Sequence, residues 1–243
     1  MMTDDSLFSG IEFTHAFQPI VDMDTGQIVS YEVLLRGKCN ESPGAVFGKV
    51  TPAKLMLFDQ LSREKALVMA RNLGISCRIN LNFTPGAILF ENGRYVHDTM
   101  QAAVRLGMHT SQLVIEITES ECIHDIKHLV AVLNDARREQ FTIAIDDFGS
   151  GYAGLNMLAE IQPDIIKLDM SLLRDIELHG PRQSIVRAII QVCLELGIDP
   201  LAEGVESEAE FNFLRQTGIS LFQGYLFAKP GFECLPEVSL PPG

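Results

Sequence analysis

Five carboxylates and one amide stand where apolar residues are expected. Glu32 lies in YEVLLRG, Asn80 in INLN, Glu116 in VIEITE, Asp146 and Asp147 close IAIDD, and Glu203 lies in LAEGVE. Lys167 and Asp169 share IIKLD, and Gln223 sits in LFQGY. The surrounding residues read as buried parallel strands, which should be near-continuous hydrophobic runs. A charge inside such a run is costly unless it is paired or bound to metal. All-oxygen ligation suits hard cations such as Mg²⁺ or Mn²⁺ rather than zinc or copper. Successive strand side chains point to opposite faces, so adjacent Asp146 and Asp147 reach one centre only where the strand turns. Such a pair suits two metals about 3.5–4 Å apart, the arrangement used for phosphodiester hydrolysis. Any single acid could instead pair with Arg36 or Lys167 in a core ion pair. The whole set, arriving from several strand ends, argues for metal.

Eight apolar segments read as strands, at about 16–22, 28–37, 77–82, 113–118, 142–147, 165–169, 200–203 and 221–225. Helical patterns fill most gaps from the second strand onward, at about 52–72, 184–196 and 208–216, with stop glycines at Gly74, Gly197 and Gly218. Eight strands with helices between them match a (β/α)₈ barrel of about 250 residues, whose active site lies at the C-terminal ends of its strands. Only Met23 to Gln27 separate the first two strands. A parallel crossover needs a dozen or more residues, so these two must form an antiparallel hairpin. The expected fold is α/β, a TIM-like (β/α)₈ barrel with one antiparallel, reversed first strand. A single domain spans 1–243, with its core at about 13–230, a short N-terminal extension and a loose Pro-rich tail at 235–243.

The formal charge of −13 argues against long nucleic acid, which needs clustered Lys and Arg. A small anionic substrate stays possible, because metal ions invert the local charge of an acidic pocket. The five cysteines are widely spaced without a CxxC pair, so neither a disulfide framework nor a zinc ribbon is indicated. No run approaches the roughly 18 apolar residues of a membrane span, and no signal peptide is visible. A cytoplasmic location is expected.

The stretches FQPIVD, YEVLLR, INLN, EITE, DDFGSGY, IKLD, AEGVE and QGYLFAKP occur in the order found in the EAL domain of bacterial cyclic-di-GMP-specific phosphodiesterases. The chain resembles that family from about Phe13 to Pro230. One departure lies in the name-giving motif, where Val33 replaces alanine. The resemblance implies metal-dependent hydrolysis of one phosphodiester bond of cyclic di-GMP to linear 5′-pGpG. It implies Glu32, Asn80, Glu116 and Asp146 as ligands of one metal, with Asp146 bridging to a second held by Asp147 and Glu203. Lys167 resembles the lysine that orients the nucleophilic water, and with Glu203 and Glu119 it makes up the catalytic set. Glu119 resembles the glutamate that anchors the DDFGSGY loop. Arg36 resembles the phosphate-gripping arginine, while Gln18, Leu35, Asp169 and Gln223 are placed at the substrate. The resemblance also implies a homodimer whose glycine-rich loop couples dimer contacts to metal occupancy. Mg²⁺ or Mn²⁺ is the expected cofactor pair. Ca²⁺, with longer bonds and a looser shell, is expected to bind but inhibit.

Two other readings stay open. A degenerate family member would act only as a cyclic-di-GMP receptor or protein-interaction module, and lost ligands should mark it; none is lost here. An unrelated metal-dependent barrel enzyme is the third, against which the reversed first strand and Lys167 speak. His124 and His128, with Cys122 nearby, have a spacing that can bind zinc but lack a matching third ligand. Cys193, in an apolar run, is expected in the core.

Overall fold

The structure is a computed structural model that describes residues 8, 10–118, 123, 125–150 and 154–241. The chain opens with an antiparallel hairpin of β1 (Phe13–Asp22) and β2 (Gln27–Gly37). Its turn is held by Asp22, whose carboxylate accepts the Asp24 N–H at 2.9 Å and the Thr25 hydroxyl at 3.0 Å, and Gly26 supplies the positive φ. Parallel strands follow in order: β3 (Arg78–Asn82), β4 (Leu113–Thr118), β5 (Thr142–Phe148), β6 (Ile165–Leu168), β7 (Asp199–Ala202) and β8 (Leu221–Phe222). β8 then pairs antiparallel with β1, which closes the barrel and leaves the first strand reversed against both neighbours. This is the TIM-like fold that the short first connection required.

Helices cover the outside: α1 (Leu55–Asn72), α2 (Arg94–Arg105), α3 (Ile126–Arg138), α4 (Gly154–Ile161), α5 (Gly180–Leu196) and α6 (Glu208–Gln216). The expected stop glycines Gly74, Gly197 and Gly218 all carry positive φ. The helix beginning near Pro52 enters through a 3₁₀ turn, Pro52–Lys54, and α5 starts a turn earlier than its apolar pattern suggested. Outward-facing strand residues such as Phe17, Ile79, Ile115, Ile143 and Ile166 pack against Leu67, Ala103, Leu133, Leu158 and Val186. Cys193 is buried in this layer, as expected. Inside the barrel a separate cluster joins Ile20, Val114, Ala144, Ile165, Leu201 and Leu221.

Two features differ from expectation. A ninth strand, β9 (Gly231–Phe232), pairs with β1 at Ala16 and Phe17. The Pro-rich tail is not loose: Leu235 and Val238 pack on the core, and the Ser239 N–H donates to the Phe227 carbonyl at 3.0 Å. Proline in this segment fixes the chain without hindering apolar contact. Among the described residues no helix is long and apolar enough to cross a membrane.

Candidate active site

The strand period of two aims Glu32, Asn80, Glu116, Asp146 and Lys167 into the barrel near its C-terminal rim. Lys167 is fully buried and central. Its Nζ lies 2.7 Å from Asp146 and from Glu203, 2.8 Å from Glu116 and 3.4 Å from Glu32. The core ion pair considered for single acids is therefore present, but one ammonium serves four carboxylates. Asn80 donates Nδ2–H to Glu116 at 2.7 Å, and Gln223 donates to Glu32 at 2.7 Å.

Asp146 and Asp147 reach the same centre through a backbone irregularity. The β5–β6 register shifts between Ile145 and Phe148, and Asp147 sits at φ 54. That left-handed conformation is uncommon for a residue with a side chain and clusters at functional sites. It turns the second carboxylate toward the first instead of to the opposite face.

Burial and like charge act together here. Burial, with Glu32 and Asp146 adding to it and Lys167 opposing, pushes the Glu116 carboxyl up to about 8. Burial, then Asp146, raises Asp147 to about 6, and burial raises Glu203 as well. Burial alone would lower Lys167, but Asp146, Glu116, Glu203 and Glu32 outweigh it and hold the ammonium charged. The centre is thus short of positive charge, a deficit that divalent cations fill.

The donor set fits such cations. Oxygens of Glu32, Glu116 and Asp146 lie within 4.8 Å of one another, as do those of Asp146, Asp147 and Glu203. Asp146 belongs to both groups. Glu116 Oε2 is buried without a hydrogen-bond partner, an acceptor that the protein itself leaves unsatisfied. Asn80 turns its N–H, not its oxygen, toward Glu116, and its Oδ1 accepts from the Ser30 hydroxyl. Ligation through oxygen requires the amide to turn over. A hydroxyl both donates and accepts, so Ser30 can pair with either orientation.

The mouth above this centre is a cavity of about 260 Å³ lined by Gln18, Glu32, Asp147, Asp169, Glu203 and Gln223. Asp169 also caps a short helix, accepting the Ser171 N–H at 2.9 Å. Arg36 is half-buried at the end of β2, donates to the Leu35 carbonyl at 2.8 Å and forms no ion pair among the described residues. Leu35 faces away from the carboxylates and packs with Val46, Val50 and Phe58. It lines a second cavity of about 240 Å³ between β2 and α1, with Pro43, Phe47, Asp59 and Arg63. Glu119, Cys122, His124 and Gly151 to Ala153 lie outside the described residues. Sequence reasoning left Ser30, Glu206, Met170 and Tyr225 unassigned. The last three line the mouth, and Ser30 precedes Glu32 by two on the same face, which is the signal that finds it.

A family model for the EAL domain matches residues 4–230. The chain is 32% identical over 228 residues to the blue light- and temperature-regulated antirepressor BluF of Escherichia coli, covering 93% of this chain and 56% of that one. It is 31% identical over 243 residues to a cyclic di-GMP phosphodiesterase of Pseudomonas aeruginosa, covering 93% and 39% respectively. It therefore spans between 39% and 56% of the length of these two relatives. Among solved structures, a standalone versatile EAL protein from Vibrio cholerae in its c-di-GMP-bound form superimposes with a TM-score of 0.89 and 44% identity over 95% of this chain and 97% of that one. BlrP1 of Klebsiella pneumoniae, solved with manganese and cyclic di-GMP, gives 0.87 and 35% over 93% and 57%, and a calcium complex of it is also known.

Proposed function

Because this chain belongs to the EAL domain family, we propose that it hydrolyses one phosphodiester bond of cyclic di-GMP, giving linear 5′-pGpG, with two divalent cations, Mg²⁺ or Mn²⁺. One observation carries the reading: two clusters of carboxylates share Asp146, meet around Lys167 and open on a cavity at the barrel mouth. Manganese and calcium complexes of BlrP1 with cyclic di-GMP support both the ligand and the cation class.

In this reading Glu32, Asn80, Glu116 and Asp146 hold one cation, and Asp146, Asp147 and Glu203 the other. The cations, when bound, supply Lewis-acid charge that acidifies the attacking water and balances the leaving oxygen. The Lys167 ammonium orients that water and faces the negative charge on the non-bridging oxygens of the phosphorus under attack. Arg36 at the rim offers its planar fork to the non-bridging phosphate oxygens. Gln18, Asp169 and Gln223 line the path of the sugar–phosphate ring. The second cavity suits a guanine, with Leu35, Pro43 and Phe47 as apolar walls and Asp59 to accept base N–H groups. For Glu119, which lies outside the described residues, the family resemblance alone carries the proposed role in anchoring the DDFGSGY loop. Two copies of the single domain pair in the same reading, and exposed Leu155, Leu178, Ile185 and Leu194 supply apolar surface.

The antirepressor among the relatives favours a second reading, in which the domain acts as a protein-interaction module or a cyclic-di-GMP receptor and cleaves nothing. Incubation with cyclic di-GMP and Mn²⁺ or Mg²⁺, with chromatographic separation of products, decides between them. The expected outcome is pGpG, abolished by EDTA, with Ca²⁺ supporting binding but little turnover. Intact nucleotide with retained binding establishes the receptor reading instead.

A further inference from the structure

Glu203 opens a short loop, Gly204 to Ser207, whose path sets where its carboxylate points. Gly204 has φ +62, and a Cβ there would come within 2.6 Å of the Met170 Cβ, so the loop presses closely on the segment leaving β6. The Val205 N–H donates to the Gln223 carbonyl at 3.1 Å, and its carbonyl accepts from Leu226 at 3.0 Å. The loop is thus tied on one side to the exit of β8.

Glu210 in the first turn of α6 ties it on the other. Its side chain is buried, and Oε2 accepts the N–H groups of Glu206 at 2.9 Å and Ser207 at 3.2 Å. The Glu210 N–H in turn donates to the Ser207 hydroxyl oxygen at 3.1 Å, completing a capping box. A cap ends there. Glu210 Oε1 goes further and accepts the Asp175 N–H at 3.1 Å and the Arg174 guanidinium at 3.4 Å. Arg174 also meets the Glu206 carboxylate at 3.0 Å and the Gly204 carbonyl at 3.5 Å. Asp175 is held at φ 53. Burial would raise the Glu210 carboxyl, but the backbone donors of Glu206, Asp175 and Ser207, with Arg174, hold it below the usual range and therefore charged.

We propose that Glu210 and Arg174 form a latch between the loops leaving β6 and β7, positioning Glu203 for the cation it shares with Asp146 and Asp147. The latch rests on the metal-dependent reading above, because it acts through a ligand of that site. It touches neither substrate nor cation, so both are positioning residues. Partners that orient metal ligands typically account for about 10–100-fold in affinity or activity.

The test is Mn²⁺ titration by calorimetry, with kcat and KM for cyclic di-GMP, on wild type, Glu210→Gln, Arg174→Ala and Ser207→Ala. Glu210→Gln keeps the shape but turns an N–H₂ toward N–H donors. We expect it and Arg174→Ala to weaken one of two Mn²⁺ sites by about 10–100-fold and lower kcat, leaving KM within a few-fold. Ser207→Ala removes the cap alone and should lower the Tm while both sites and kcat stay near wild type. Should Glu210→Gln fail to fold, Arg174→Ala, whose side chain is partly exposed, carries the test. Unchanged Mn²⁺ sites and kcat in folded Arg174→Ala, or equal losses in Ser207→Ala, overturn the latch while the metal reading stands. A wild type that binds no Mn²⁺ overturns both.

Discussion

Two layers fill the barrel, one rung apart on the same strands. The lower layer is Val114, Ala144, Ile165, Leu201 and Leu221. Two residues further along each strand, on the same face, stand Glu116, Asp146, Lys167, Glu203 and Gln223. On reversed β1 the order inverts, with Ile20 in the lower layer and Gln18, two residues earlier, at the mouth. The lower layer needs nothing but shape. The upper layer survives burial only because its charges satisfy one another, and they do so incompletely: four carboxylates share one ammonium. A single rung thus separates a layer that stabilises the barrel from one that stores a demand for cations.

The comparison breaks first at Lys167. Lys167→Met should abolish hydrolysis, because among the described residues no other side-chain cation pairs with these carboxylates. In metal-free protein it should also cost about 3–5 kcal/mol, the usual penalty for removing one partner of a buried ion pair. Mn²⁺ should restore the stability but not the turnover, since a cation replaces the lysine's charge and not its position toward the water. Urea unfolding with and without Mn²⁺, alongside product chromatography, checks both halves. Turnover within a few-fold of wild type would remove Lys167 from the mechanism.

The lower layer sharpens the contrast. Leu201→Ala should cost about 2–5 kcal/mol through the cavity it leaves, and equally with or without Mn²⁺. Glu203, two residues on, should keep its Mn²⁺ affinity to within a few-fold. A loss of affinity matching the loss of stability would mean that the layers are one cooperative unit.

The layering explains what the sequence made legible. Polar residues interrupting apolar strands mark the mouth directly, and the short link after Asp22 forces the reversed strand. Both signals are local. The bulge at Asp147 was legible as a requirement, because two adjacent acids can meet only where the strand turns. Features that depend on distant partners were not legible. The pairing of β9 with Ala16 and Phe17, the return of Val238 onto the core, and the reach of Glu210 to Asp175 join segments whose composition says only loop or cap. Leu35 lies close to Glu32 and Arg36 in sequence but faces the second cavity, because alternation sends it outward.

The last expected effect is a pH dependence confined to the upper layer. Glu116 is pushed up to about 8 and Asp147 to about 6, both chiefly by burial, and Glu203 is raised too. Acids raised in the fold bind more protons there than in the unfolded chain. Metal-free stability should therefore fall as pH rises through the window from the ordinary carboxylate range to about 8. Cations need these carboxylates ionised, so binding expels the protons. Mn²⁺ affinity should then rise with pH between about 6 and 8, tenfold per unit for each proton released. Asp147→Asn removes one such proton and should flatten the acidic end of that slope. Leu201→Ala should leave the slope untouched, since its layer holds no titrating group. Calorimetry in buffers of different ionisation enthalpy counts the protons directly. An Mn²⁺ affinity that stays flat from pH 6 to 8 would show that the carboxylates are already ionised around Lys167, and that the upper layer carries no unmet demand for charge.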